Sequence, residues 1–96
     1  MFYIYILYSE KYNKYYVGQT DDPERRLIEH NEISDHSFTS KYRPWKQVAS
    51  YEVGESRTLA RKIESHIKKQ KSKVYIEDLI ERGSISGLID RFKGNG

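Results

Sequence analysis

The residues that could do chemistry in this chain fall in three places. The stretch Phe2–Gly18, FYIYILYSEKYNKYYVG, carries six phenols: Tyr3, Tyr5, Tyr8, Tyr12, Tyr15 and Tyr16. Arg26 and His30 follow, four residues apart. Glu64 stands just before a basic run, Lys68, Lys69, Lys71 and Lys73. A phenol can donate and accept hydrogen bonds, imidazole titrates near neutral pH, guanidinium grips phosphate, and a carboxylate can hold a hard cation. Each has a plainer use. Tyrosines pack amphipathically with one wet end. An Arg and a His at this spacing share an ordinary solvated helix face. Lysines late in a helix complement its dipole.

The elements that must position these groups can be read from periodicity. Phe2–Tyr8 and Lys14–Gly18 are rich in aromatic and β-branched residues, which suit a pleated surface. Ser9–Asn13 between them is a turn, with Asn13 able to adopt unusual φ, so the stretch predicts an antiparallel hairpin. In the first strand Tyr3, Tyr5 and Leu7 share one face, and Phe2, Ile4, Ile6 and Tyr8 the other. In the second, Lys14, Tyr16 and Gly18 oppose Tyr15 and Val17. Phe2, Ile4 and Ile6 make the better core face, which leaves Tyr3 and Tyr5 on a face expected to be partly open. The register is not set by the pattern, and a slip of one residue would exchange the faces.

Asp22 is a helix N-cap followed by Pro23 at the first helical position, so a helix is predicted over Pro23–Asn31. Leu27 and Ile28 are its only clear anchors. Residues 32–44 read as a polar loop carrying His36, Ser37, Phe38, Thr39, Ser40, Lys41, Tyr42 and Arg43. Interleaved bases and aromatics suit nucleic-acid contact, phosphate by charge and base by stacking. A plain connection with its aromatics tucked into the core edge is the other reading. A third strand is predicted over Gln47–Val53. Ser56 caps a helix over Arg57–Lys71, with Leu59, Ala60, Ile63 and Ile67 as its apolar stripe. Glu64 lies about 85° from the stripe's centre, at the margin of the buried face. Ser72 caps Lys73–Arg82, closed by Gly83, and Ile85, Leu88, Ile89 and Phe92 mark a last short helix. Residues 94–96 should fray. The expected architecture is α+β, a three-stranded antiparallel sheet flanked by helices in the order β-β-α-β-α-α-α.

Ninety-six residues suit one domain, with a core at about 2–71 and C-terminal helices at about 73–92. No cysteine means no disulfide, thiolate metal site or thiol nucleophile. No apolar run could span a membrane and no secretory pattern opens the chain, so a cytoplasmic location is expected. Seventeen basic against fourteen acidic side chains, net +3, permits a polyanion partner without requiring one. Six scattered glycines form no phosphate loop, no His/Cys set has zinc spacing, and no G-x-S-x-G elbow occurs.

Taken in order, these motifs resemble the GIY-YIG endonuclease family, in its small stand-alone form. Tyr3-Ile4-Tyr5 stands where the family has Gly-Ile-Tyr, with Tyr3 replacing the glycine. Tyr16-Val17-Gly18 stands where it has Tyr-Ile-Gly. Glu24–His30 resembles the family's Arg-x-x-x-His helix, and Leu59–Glu64 the helix carrying its metal-binding glutamate. Ser40–Lys46 is similar to a stretch common in the small members.

The resemblance implies metal-dependent hydrolysis of DNA phosphodiesters. Tyr5 and Tyr16 would position or deprotonate the attacking water. Gly18 would allow close backbone approach, Arg26 would hold the scissile phosphate, and His30 would carry or orient a proton. Glu64 would bind one Mg²⁺ or Mn²⁺ ion. Lys41, Arg43, Lys68 and Lys69 would contact DNA. No separate DNA-reading domain is recognisable, so single strands, branched or damaged DNA are the expected targets, in repair or processing. A protein partner could supply further specificity. The alternative is a non-catalytic nucleic-acid-binding module of the same fold, or a nuclease subunit that acts only when a partner presents DNA.

Overall fold

Strand β1, Phe2–Ser9, is the middle of a three-stranded antiparallel sheet, with β2, Lys14–Thr20, on one side and β3, Lys46–Gly54, on the other. The helices are α1, Pro23–Ile28, α2, Arg57–Lys69, α3, Lys73–Arg82, and α4, Ser86–Lys93. The computed structural model describes residues 1–33 and 38–93. His36 and Ser37 of the predicted loop and the predicted frayed end at 94–96 lie outside these. The element order is the one expected from the sequence.

Local chemistry accounts for the connections. Asn13 turns the hairpin at a φ of 53°, and its amide oxygen accepts from the Tyr8 hydroxyl at 2.8 Å. Asp22, Ser56 and Ser72 each accept from a backbone N–H three residues on, capping α1, α2 and α3. Gly83 closes α3 in the left-handed region at φ 70°.

Both faces of the sheet are covered. On one, Ile4, Ile6 and Val17 meet Ala60, Ile63 and Ile67 of α2, with Leu79 and Ile85 beyond. On the other, Tyr5, Leu7 and Trp45 form a smaller cluster with Tyr16, Leu27 and Tyr42 around it. Here the structure corrects the expectation of a partly open face. Tyr5 is 1% exposed and Leu7 fully buried. The cover comes from the segment after α1. That helix stops at Ile28, short of the predicted Asn31, and continues as a π-helical turn over Glu29–Ile33. Phe38–Tyr42, read from sequence as loop, is a 3₁₀ turn. Among the described residues, no helix is long and apolar enough to cross a membrane.

Candidate active site

The site is built on the β1–β2 register. Tyr5 pairs with Gly18 and Leu7 with Tyr16. The Tyr5 ring lies directly over Gly18. A methyl group there would sit 2.7 Å from Tyr5 Cε1 and closer still to Cζ and the hydroxyl. The group that approaches the Gly18 backbone here is the chain's own Tyr5 ring. Tyr16, half-buried, holds its ring 6.3 Å from that of Tyr5 and 4.9 Å from that of His30, between centroids.

Helix α1 brings in the cation. Arg25 turns outward to Asp21 at 2.9 Å, while Arg26 faces the sheet. Its Nη1 donates to Glu29 at 2.7 Å, and its positive charge acts on the nearby Tyr5 phenol. The π turn then carries His30 inward, where it is 3% exposed. Widened turns of this kind often occur where a functional side chain must be re-aimed. His30 Nε2 lies 2.9 Å from the Tyr5 hydroxyl, and Nδ1 lies 2.9 Å from Thr39 Oγ1. His30 therefore meets the Tyr5 phenol, with the charge of half-buried Arg26 acting on the same group, and the two are not a solvated pair.

The chain after the π turn is fastened behind them. Asn31, predicted as a helix stop, clasps the Trp45 backbone through both ends of its amide, at 2.7 and 2.9 Å. Trp45 Nε1 donates to the Thr39 carbonyl at 2.7 Å. Arg43 Nε donates to the His30 carbonyl at 2.7 Å.

Helix α2 supplies the carboxylate. With Ala60, Ile63 and Ile67 buried, Glu64 stands at the margin, its side chain 21% exposed. Lys68 Nζ pairs with it at 3.0 Å and lies 5.1 Å above the Tyr16 ring.

Burial and charge set the protonation states. Burial, then the neighbouring Tyr16, pushes the Tyr5 phenol up to about 12, against the pull of Arg26. Burial also holds His30 down, to about 4, and the charge of Arg26 adds to it, so the imidazole is neutral at pH 7. Burial works against the Arg26 cation, but Glu29 and Tyr5 together outweigh it and raise its pKa.

Among the described residues, no group of three or more His, Cys, Asp or Glu converges as a metal cage. The donor set beside the tyrosines is the single carboxylate of Glu64. That suits a hard cation that keeps most of its shell as water and phosphate oxygen, as Mg²⁺ does. The residues fit such an ion.

Of the residues singled out from sequence, Tyr5, Tyr16, Gly18, Arg26, His30, Glu64 and Lys68 come together. Arg43 sits behind His30, its Nε turned inward. Lys41 is exposed on the 3₁₀ turn. Lys69 lines a separate groove with Arg61, Lys62, His66 and Phe92. Glu29, Asn31, Thr39 and Trp45 were not singled out. Glu29 follows Arg26 by three residues, a spacing that pairs charges on a helix and could have flagged it. Trp45 is the one tryptophan of the chain. Nothing in the pattern marks Thr39.

The chain matches the family model described as the GIY-YIG catalytic domain over residues 1–76. It belongs to the GIY-YIG family, a family of endonucleases whose substrate is DNA. The match spans every residue of the site, from Tyr5 on β1 through Arg26 on α1 and His30 on the π turn to Lys68 on α2. No curated protein and no solved structure matches the chain.

Proposed function

We propose that this chain is a metal-dependent DNA endonuclease that hydrolyses phosphodiester bonds in single-stranded, branched or damaged DNA during repair or processing. The observation that carries this reading is the buried hydrogen bond between the Tyr5 hydroxyl and His30, with Tyr16 against both rings and the charges of Arg26 and Glu64 near enough to act on Tyr5.

In this reading Arg26 grips the scissile phosphate, exchanging part of its contact with Glu29 for phosphate oxygen, and stabilises the charge that grows there. Tyr5 is too buried to meet bulk water. It hydrogen-bonds His30. Tyr16, the more open phenol, positions the attacking water and is placed to take its proton. Glu64 would hold Mg²⁺ or Mn²⁺, which when bound supplies Lewis-acid polarisation of the phosphate and the leaving oxygen. Lys68 neutralises Glu64 in the absence of a cation and, once released, lies close enough to meet a phosphate. The exposed Lys41 extends the cationic rim.

The test is incubation of the protein with labelled single-stranded, double-stranded and branched DNA, with Mg²⁺, Mn²⁺ or EDTA, beside Glu64→Ala. Metal-dependent cutting lost in the variant is the expected result and names the substrate class. Binding without cutting by either protein would overturn the enzyme reading in favour of a non-catalytic nucleic-acid-binding module.

A further inference from the structure

The net charge of +3 is held unevenly. Helix α2 carries five of the seventeen basic side chains, Arg57, Arg61, Lys62, Lys68 and Lys69, and one of the fourteen acidic ones, Glu64. With histidines neutral, the helix therefore holds +4 and the rest of the chain together holds −1. Helix physics explains only part of this. The dipole favours Lys68 and Lys69 in the last turn. It disfavours Arg57 in the first turn, which holds no acidic residue, and does nothing for Arg61 and Lys62 midway. Arg57 and Arg61, four residues apart, repel each other. Ion pairing does not absorb the excess either. Lys68 pairs with Glu64, as Arg25, Lys46 and Arg82 pair with Asp21, Glu10 and Asp78. Among the described residues, Arg61, Lys62 and Lys69 have no such partner.

These three cations line one groove, with the hydroxyl side chains of Thr58 and Ser65 between them. His66 and Phe92 of α4 close it, their rings edge to face at 5.3 Å. No carboxylate lines it among the described residues. Thr58, Lys62, Ser65 and Lys69 recur at helical spacing and are all exposed, on the side of α2 away from buried Ala60, Ile63 and Ile67. Cations alternating with hydroxyls along a stripe suit a succession of phosphate oxygens. Ser65 follows Glu64 and lies about 100° round the helix from it, so the groove is within one helix diameter, ~10–12 Å, of the reactive carboxylate.

We propose that the outer face of α2 is a second contact for the DNA backbone, in which Arg61, Lys62 and Lys69 hold phosphates beyond the scissile one. The proposal rests on the reading of Glu64 as part of a nuclease site. The contact is to phosphate alone, so it adds affinity for any sequence and takes no part in breaking the bond. DNA is favoured over an acidic protein or an anionic lipid surface because the same helix presents Glu64 and Lys68 to the reactive site.

The experiment is fluorescence anisotropy with labelled single- and double-stranded DNA across about 50–200 mM salt, with cleavage kinetics in Mg²⁺ on each protein. The proteins are wild type, Arg61→Gln/Lys62→Gln, the charge-keeping Arg61→Lys/Lys62→Arg, and Arg25→Gln/Arg82→Gln, which removes the same charge elsewhere. Arg61→Gln/Lys62→Gln should weaken binding roughly 3- to 10-fold and flatten the slope of log K against log salt by about 2. It should raise KM with kcat unchanged, and the charge-keeping variant should bind as wild type does. Equal weakening by Arg25→Gln/Arg82→Gln would overturn the proposal, because net charge alone would then be acting. So would unchanged binding, a fall in kcat with KM unchanged, or a wild type that binds no DNA. Tighter binding of polyglutamate or phosphatidylserine vesicles than of DNA through the same two residues would overturn it too. A wild type that cuts no DNA but shows the expected binding and salt response supports the contact and sinks the nuclease reading. Cutting by wild type and variant with equal KM does the reverse.

Discussion

The two faces of the sheet are buried by different means. On the α2 face, Ile4, Ile6, Val17, Ile63 and Ile67 pack as aliphatic side chains with no polar demand beyond shape. On the Tyr5 face, burial is bought with polar atoms that must each find a partner: Tyr5 with His30, His30 with Thr39, Trp45 with Thr39 and Asn31. Apart from Tyr51, whose hydroxyl donates to the Leu79 carbonyl, the first face tolerates apolar side chains of the right volume. The second tolerates little, because an unpaired buried polar group costs more than a well-made hydrogen bond gains. One face holds the molecule together and the other holds the reactive geometry.

Substitutions should separate them. Arg26→Ala, at the half-buried opening of the polar face, should lower DNA cleavage by roughly 10²–10³-fold, as expected for a lost transition-state contact, with little change in the urea midpoint. Ile63→Ala should do the reverse, costing about 2–5 kcal/mol of stability with specific activity retained in the fraction that remains folded. Equal stability losses from the two would erase the distinction.

Acid should strike the polar face selectively. His30 titrates near 6.5 when unfolded and at about 4 when folded, chiefly through burial. Between those values the unfolded chain binds more protons, so stability is fully present above pH 6.5 and is lost as pH falls through 4. The total is about 3 kcal/mol. Urea midpoints from pH 7 to 4 should fall less steeply for His30→Asn than for wild type.

Gly18→Ala adds one methyl where the Tyr5 ring lies, and should cost about 1–3 kcal/mol by overpacking. Tyr5→Phe in the same background recovers space only at the hydroxyl, so a full rescue of stability would show that Cζ and Cε1 do not resist the methyl. The smallest effect is expected at Glu29. Glu29→Gln removes a partly exposed carboxylate from Arg26 and should tighten single-stranded DNA binding by less than ~10-fold, consistent with an ion pair worth under about 1 kcal/mol. Fluorescence anisotropy at fixed salt would measure it, and weaker binding would mean that Glu29 aims Arg26 rather than competing for it.

The contrast also explains which parts could be read in advance. Ile4 and Ile6 alternate along a strand, and Ala60, Ile63 and Ile67 recur along a helix, so their face follows from the repeat of the backbone. Asp22, Ser56, Ser72, Gly83 and Asn13 act within a few residues of themselves, and each was identifiable from its neighbours. Arg26, His30 and Glu64 could be singled out only through their resemblance to a family pattern, since their spacing alone suits an ordinary solvent-facing helix.

The burial of Tyr5 was not readable, because Tyr42 and Trp45, which pack around it, are distant in sequence, and His30 reaches it through a π turn that no local preference announces. Thr39 and Asn31 lie 9 and 14 positions from the groups they hold, within a stretch whose composition reads as loop. The sequence by itself determined the hairpin, the capped helices and the aliphatic face, since periodicity and short-range hydrogen bonding are written into consecutive residues. Only the tertiary structure decided that Tyr5, His30 and Thr39 share one buried chain of hydrogen bonds beside Arg26. That outcome depends on which polar groups are left without water once distant segments close over the sheet.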